Sequence, residues 1–148
     1  MHYEVVDQDD IEKTTIEEYY SRNLDTVDDP SEKDEFRNLS LLPIDDALGA
    51  EHLQIKLWYF EPADEVIYHA HTEQEEFYYI LEGEFSLKLG DPDDPEYREA
   101  GPGTFYVAGP KTGHGHRYVG DDIGVVLAVG APPGFDPGKD PTEFASET

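Results

Sequence analysis

Four of the chain's six histidines fall into two short segments. In 69-HAHTEQEEFYYILEGEF-85, two histidines one residue apart are followed by two adjacent glutamates and a run of aromatics. On an extended strand, residues i and i+2 leave one face about 7 Å apart. His69 and His71 at that spacing could bind one transition-metal ion together. His-x-His alone is weak ground for a metal, since strands carry ordinary histidines too. A second pair, His114 and His116, repeats the arrangement further along the chain, and two such pairs point to a shared site. His2 and His52 have no such company and read as surface residues. A carboxylate completes the set. Glu75 and Glu76 follow His71 across a three-residue spacer, and alternation lets only one of them face inward beside FYYIL. A carboxylate entering a buried face requires a counter-charge, which a metal ion supplies.

These residues must be positioned by strands. From 51 to 131 the sequence breaks into short β-prone runs bounded by turn signals. HLQIKLWYF and VIYHAH come first. FYYILEGEFSLKLG reads as a hairpin turning about Glu82-Gly83, and YREAG, TFYVAG, HGHRYVG and DDIGVVLAVGA follow. About eight short antiparallel strands in one domain predict a closed barrel or jelly roll, which leaves few exposed edges. Tyr118 shares His116's face, Tyr78 and Ile80 share Glu76's, and Ile67 shares His69's. All four are expected as packing, although a tyrosine hydroxyl near a metal could serve as proton donor or substrate anchor. Trp58 and Phe60 alternate with Leu57 and Tyr59, so that strand is expected to be covered on both faces.

Residues 1–50 read as a partly helical arm packing on the barrel or on a partner subunit. DQDDIEKTTIEEYYSR predicts a helix capped by Asp7 or Asp9. NLDTVDDPSEKDEFRN reads as a polar loop with room for a short helix from Ser31, and LSLLPI as an apolar patch for a sheet or a neighbouring subunit. Residues 132–148, rich in Pro and Gly, are expected to run over the surface as a tail.

HAHTEQEEFYYILEG resembles the first motif of the cupin superfamily: two histidines spaced by one, glutamate after three or four residues, then glycine after six. Here the motif falls on His69, His71, Glu76 and Gly83, and the six-residue interval selects Glu76 over Glu75. The segment 103-GTFYVAGPKTGHGHRYVG-120 is similar to the second motif, which supplies a fourth ligand. The pair Thr112-Gly113 favours His116, whereas a register with its turn at Pro110 selects His114. Ala63 stands where the first motif usually opens with glycine, and Gly120 where the second often ends with asparagine. The resemblance implies an all-β antiparallel jelly-roll barrel holding one divalent transition metal, with Mn, Fe, Ni, Cu or Zn all suited to imidazole and carboxylate ligands. It implies a dioxygenase or an isomerase or lyase acting on a small molecule inside the barrel, with Tyr118 and Glu75 as candidate acid–base groups. The alternative is a non-catalytic barrel that binds a small ligand and carries a structural or sensing metal. A homodimer is expected by the same analogy, with LSLLPI available to form it.

Composition narrows the partners. With 35 acidic and 10 basic residues the formal charge is −25, which leaves no basic footprint for nucleic acid or anionic membranes. The acid is spread over segments with clear apolar patterns, as on the surface of a protein kept hydrated in concentrated salt. That predicts the cytoplasm of a salt-accumulating organism. There is no cysteine, which excludes disulfides, thiolate ligands and thiol nucleophiles. No apolar run approaches the roughly 18 residues of a membrane span, and MHYEVVDQDD does not read as a signal peptide.

Overall fold

The structure, a computed structural model, describes residues 1–23, 39–134 and 136–147. Among them are ten strands: β1 (Thr14–Thr15), β2 (Ser40–Pro43), β3 (Gln54–Phe60), β4 (Glu65–His69), β5 (Glu75–Glu82), β6 (Phe85–Gly90), β7 (Glu96–Ala100), β8 (Phe105–Ala108), β9 (Gly113–Tyr118) and β10 (Gly124–Ala131). They form two antiparallel sheets, ordered β1-β2-β3-β10-β5-β8 and β4-β9-β6-β7. The two sheets face each other as a jelly roll. Two helices, α1 (Ile16–Asn23) and α2 (Ile44–Leu48), belong to the arm.

Alternation along the strands builds the interior. Phe60, Ile80, Phe85, Leu87 and Val126 are each no more than 1% exposed and form one continuous core. The outer face of β3 and β10 carries a second cluster of Leu57, Val125 and Leu42, joined by Ile11 and Ile44 of the arm. That explains why β3 is apolar on both faces.

The arm differs from its expectation in one way. The segment read as one helix divides into a short 3₁₀ turn at Gln8–Asp10, capped by Asp7, and the later helix α1. Of the two covers expected for LSLLPI, a sheet or a neighbouring subunit, the structure shows the sheet. Its residues form β2, which pairs with β3, and Leu39, Leu41 and Leu42 are buried in this chain's own core. The polar loop and the short helix from Ser31 lie outside the described residues.

The hairpin at Glu82-Gly83 is also corrected. β5 belongs to the first sheet and β6 to the second, so the chain crosses between sheets there. Gly83 has a φ of 91°, and a Cβ on it would lie 2.7 Å from the Tyr118 ring, so glycine permits both the turn and the close approach. The residues after β10 do more than run over the surface. Lys139 and Ala70 exchange backbone hydrogen bonds of 2.9 Å, which ties this segment to the end of β4.

Candidate metal centre

β4 and β9 pair with an irregular register: Val66 lies opposite His116, and His69 opposite His114. Three steps on β4 therefore span two on β9, a β-bulge. The bulge resets the alternation, so Val66 and His69 both point inward. Val66, rather than Ile67, is the buried neighbour of the histidines, at 3% exposure. Gly115 makes room for the bulge, because a Cβ there would lie 2.8 Å from the backbone nitrogen of Tyr68 and the carbonyl of Val66.

His71 lies two residues beyond the end of β4, and Glu76 is the second residue of β5. One ligand atom each from His69, His71, Glu76 and His114 lies within 4.8 Å of the others. His71 Nε2 is 2.5 Å from Glu76 Oε1, and His114 Nε2 is 3.8 Å from the same oxygen. His69 Nε2 stands 3.1 Å from His71 Nε2.

The other ring nitrogens explain the convergence. Nδ1 of His69, His71 and His114 donates to the carbonyls of Ile67, Asp136 and Thr112, at 2.7, 2.7 and 3.0 Å. A carbonyl only accepts, so each Nδ1 carries the proton and each Nε2 is aimed inward. A proton shared between His71 and Glu76 satisfies that pair. It leaves the His69 lone pair against His71, and His114 Nε2 is buried without a hydrogen-bond partner. One divalent cation would satisfy all four donors at once, and no thiolate competes for softer ions.

The electrostatics fit the same reading. Burial, helped by His114, lowers His69 to about 3, so its ring is neutral. Burial also works against charge on His71, but the bond to Glu76 outweighs it and raises that ring. For Glu76, burial favours the neutral acid, yet the contacts with His114 and His71 hold it well below the ordinary value. Tyr78 donates to Glu76 Oε2 at 2.7 Å and fixes the carboxylate's second oxygen.

The predicted residues separate accordingly. His69, His71 and Glu76 come together, and the histidine that joins them is His114. His116 lies outside the group, against the Phe60 and Phe85 rings, with Nδ1 2.5 Å from Tyr106 Oη. The register at the bulge decides this, since it sets His69 opposite His114. Glu75 is exposed and does not line the cavity beside the group. Tyr118 is buried against Phe85, its hydroxyl accepting from the Asp122 amide at 3.2 Å, and it too lies off the cavity wall.

Two features were not foreseen. Asp136 holds His71 through its carbonyl, and its carboxylate accepts from the amides of Thr72, Glu73 and Gln74 at 3.1, 2.8 and 2.9 Å. Nothing marks an aspartate in GFDPGKDP for that task. Lys56 pairs with Asp45 at 2.6 Å inside the barrel mouth, a polar contact in a strand that reads as apolar.

A cavity of about 290 Å³ adjoins the group, with His71, Glu76, Tyr78, Trp58, Lys56 and Asp45 on its wall. Its volume is at the lower edge of small-molecule sites.

Solved structures share the architecture. A protein from Acidithiobacillus ferrooxidans ATCC 23270, whose name proposes a sugar phosphate isomerase, matches with a TM-score of 0.62 at 26% identity, over 72% of this chain and 67% of that one. A sugar phosphate isomerase from Silicibacter pomeroyi DSS-3 matches with a TM-score of 0.62 at 24% identity, over 88% and 76%. An oxalate oxidase matches with a TM-score of 0.51 at 17% identity, over 55% and 44%. The last two bear on the fold alone. No curated protein matches the sequence. The cupin domain matches residues 56–130, from β3 to β10, and takes in all four converging side chains. The chain belongs to the cupin family.

Proposed function

We propose that this chain is a metal-dependent enzyme. One divalent transition-metal ion would be held by His69, His71, Glu76 and His114, and a small organic molecule would react in the adjoining cavity. The observation that carries the reading is the convergence of three imidazole Nε2 atoms and one carboxylate beside the cavity, with His71 and Glu76 on its wall. A metal bound there would supply Lewis acidity toward a ligand chelated through its oxygens. The chain's own groups would orient that ligand. Burial and the neighbouring Glu76 carboxylate push Tyr78 well above its ordinary value, so its hydroxyl stays a donor and serves to aim Glu76 rather than to act as a base.

Isomerase- or lyase-type chemistry is favoured over oxygenation, supported by the likeness at 26% identity to a protein whose name proposes a sugar phosphate isomerase. Elemental analysis of untagged protein purified in molar KCl tests the site. About one transition metal per chain is expected, lost in His69→Ala and His114→Ala and retained in His116→Ala. A full complement in His114→Ala would sink the ligand set. Solvent deuterium entering a carbonyl substrate without oxygen uptake would support isomerisation, and oxygen uptake would favour the dioxygenase.

The same reading includes a homodimer in a salt-rich cytoplasm. With LSLLPI used internally, the surface available to a second copy includes Phe105 and Val107 on edge strand β8, 64% and 61% exposed. A light-scattering mass of one chain in molar KCl would contradict the dimer. Among the described residues no helix is long and apolar enough to cross a membrane.

A further inference from the structure

The cavity has a second polar pole away from the His/Glu group. Gln54, Lys56 and Trp58 face inward from β3, and Glu76 and Tyr78 face inward from β5, with β10 between them. Lys56 pairs with Ala128, which pairs with Tyr78. Two strand spacings therefore separate the main chains that carry the two poles, about 10 Å.

The arm completes this second pole. Lys56 Nζ donates to Asp45 Oδ1 of α2 at 2.6 Å and to Tyr19 Oη of α1 at 3.0 Å. The Lys56 and Asp45 side chains are only 12% and 10% exposed. Two of the three ammonium N–H groups thus have partners among the described residues, which leaves one for a ligand. Lys56 is the only lysine or arginine among the described residues lining the cavity, against the carboxylates of Asp45, Asp46, Glu76 and Asp136.

We infer that the Lys56–Asp45 pair sets the cavity's specificity: it receives an uncharged, hydroxyl-bearing end of the ligand and rejects a phosphorylated one. The inference rests on the metal-centre reading, because it takes the ligand's other end to lie at His71 and Glu76. A neutralised ammonium–carboxylate pair offers one donor beside one acceptor, the complement of a hydroxyl group. A phosphate dianion would require a cation of its own. Here it meets one whose charge is already cancelled, with Asp46 beside it, and would lose its hydration without compensation. The span and volume suit an unphosphorylated sugar or polyol of five or six carbons. Specificity would thereby depart from the phosphorylated substrates in the names of two structural relatives.

The test is calorimetry on Mn(II)-loaded protein at one fixed KCl concentration. The probes are D-fructose and D-ribose, each against its own phosphate monoester. In the wild type each parent sugar should bind more tightly than its ester. Asp45→Asn keeps a hydrogen-bond partner for Lys56 but uncovers its charge, and should tighten ester binding by about tenfold with the parent sugars little changed. Lys56→Gln should act in the opposite direction and weaken both classes. An ester that binds the wild type more tightly than its parent would overturn the inference, as would an unchanged ratio in Asp45→Asn. If Mn(II) is taken up but no probe binds, the specificity assignment fails and the metal centre stands. If Mn(II) is not taken up, both fall.

Discussion

Asp136 binds through both its main chain and its side chain: its carbonyl holds Nδ1 of His71, and its carboxylate caps three consecutive amides of the loop leading to Glu76. Burial would raise this carboxyl, but the bonds from Glu73, Gln74 and Thr72 outweigh it and keep the group ionised. Asp136→Ala keeps the carbonyl that holds His71 but frees the loop between His71 and Glu76, and should weaken metal binding by about tenfold, the lower end of what loss of an outer partner costs. Competition against a chromophoric chelator would measure it, and unchanged affinity would make the residue a loop tie only. Acid should also destabilise the metal-free protein. His69 and His116 fall from 6.5 to about 3 on folding, His116 chiefly through burial. Between those values the unfolded chain takes up protons that the folded one refuses, so stability is present above pH 6.5 and is lost as pH falls. The raised His71 works in the opposite direction, but one ring opposes two. Urea midpoints of chelator-treated protein should drop between pH 7 and 5, and less so in His116→Gln. A flat profile would refute the argument. The convergence of His69, His71 and Glu76 was legible because their spacing is local. The choice of His114 over His116 was not, because a bulge on another strand makes it.

At the scale of elements, the turn before β4 places Ala63 at a φ of 74°, in the left-handed region. The glycine usual at this motif position is therefore a matter of backbone geometry. A Cβ in that conformation costs about 1–2 kcal/mol, and glycine's extra chain entropy offsets part of it. Ala63→Gly should stabilise the protein by about 0.5–1 kcal/mol, read as a shift in denaturation midpoint with metal content unchanged. A destabilised variant would mean that the Ala63 methyl packs usefully. Strand positions were largely legible from alternation and turn residues. Partner choice was less so. FYYIL and FSLKL each show which residues face inward, but alternation does not say that Gly83 carries the chain into the other sheet. LSLLPI likewise announces apolar burial without choosing between a sheet and a neighbouring subunit, and its residues Ser40–Pro43 pair with β3.

For the molecule as a whole, a charge of −25 on 148 residues sets self-repulsion against a well-filled core. The range of that repulsion shrinks from about 10 Å at 0.1 M salt to about 3 Å at 1 M. The denaturation temperature should rise steeply from 0.1 to 2 M KCl, and a flat response would remove the case for a salt-adapted protein. The jelly roll itself was legible, since many short strands with acid-rich turns admit few other architectures. The cavity's second pole was not, because Tyr19, Asp45 and Lys56 are far apart in sequence and meet only when the arm folds over the barrel.

The chain's single tryptophan, Trp58, is 9% exposed and lies on the cavity wall. The protein thus carries a built-in optical reporter at the place where metal and ligand would arrive. Excited at the indole band, its emission should be quenched as Cu(II) or Co(II) enters and left bright by Zn(II). Occupancy of the site could then be followed in real time, without a label and with no second indole to blur the signal.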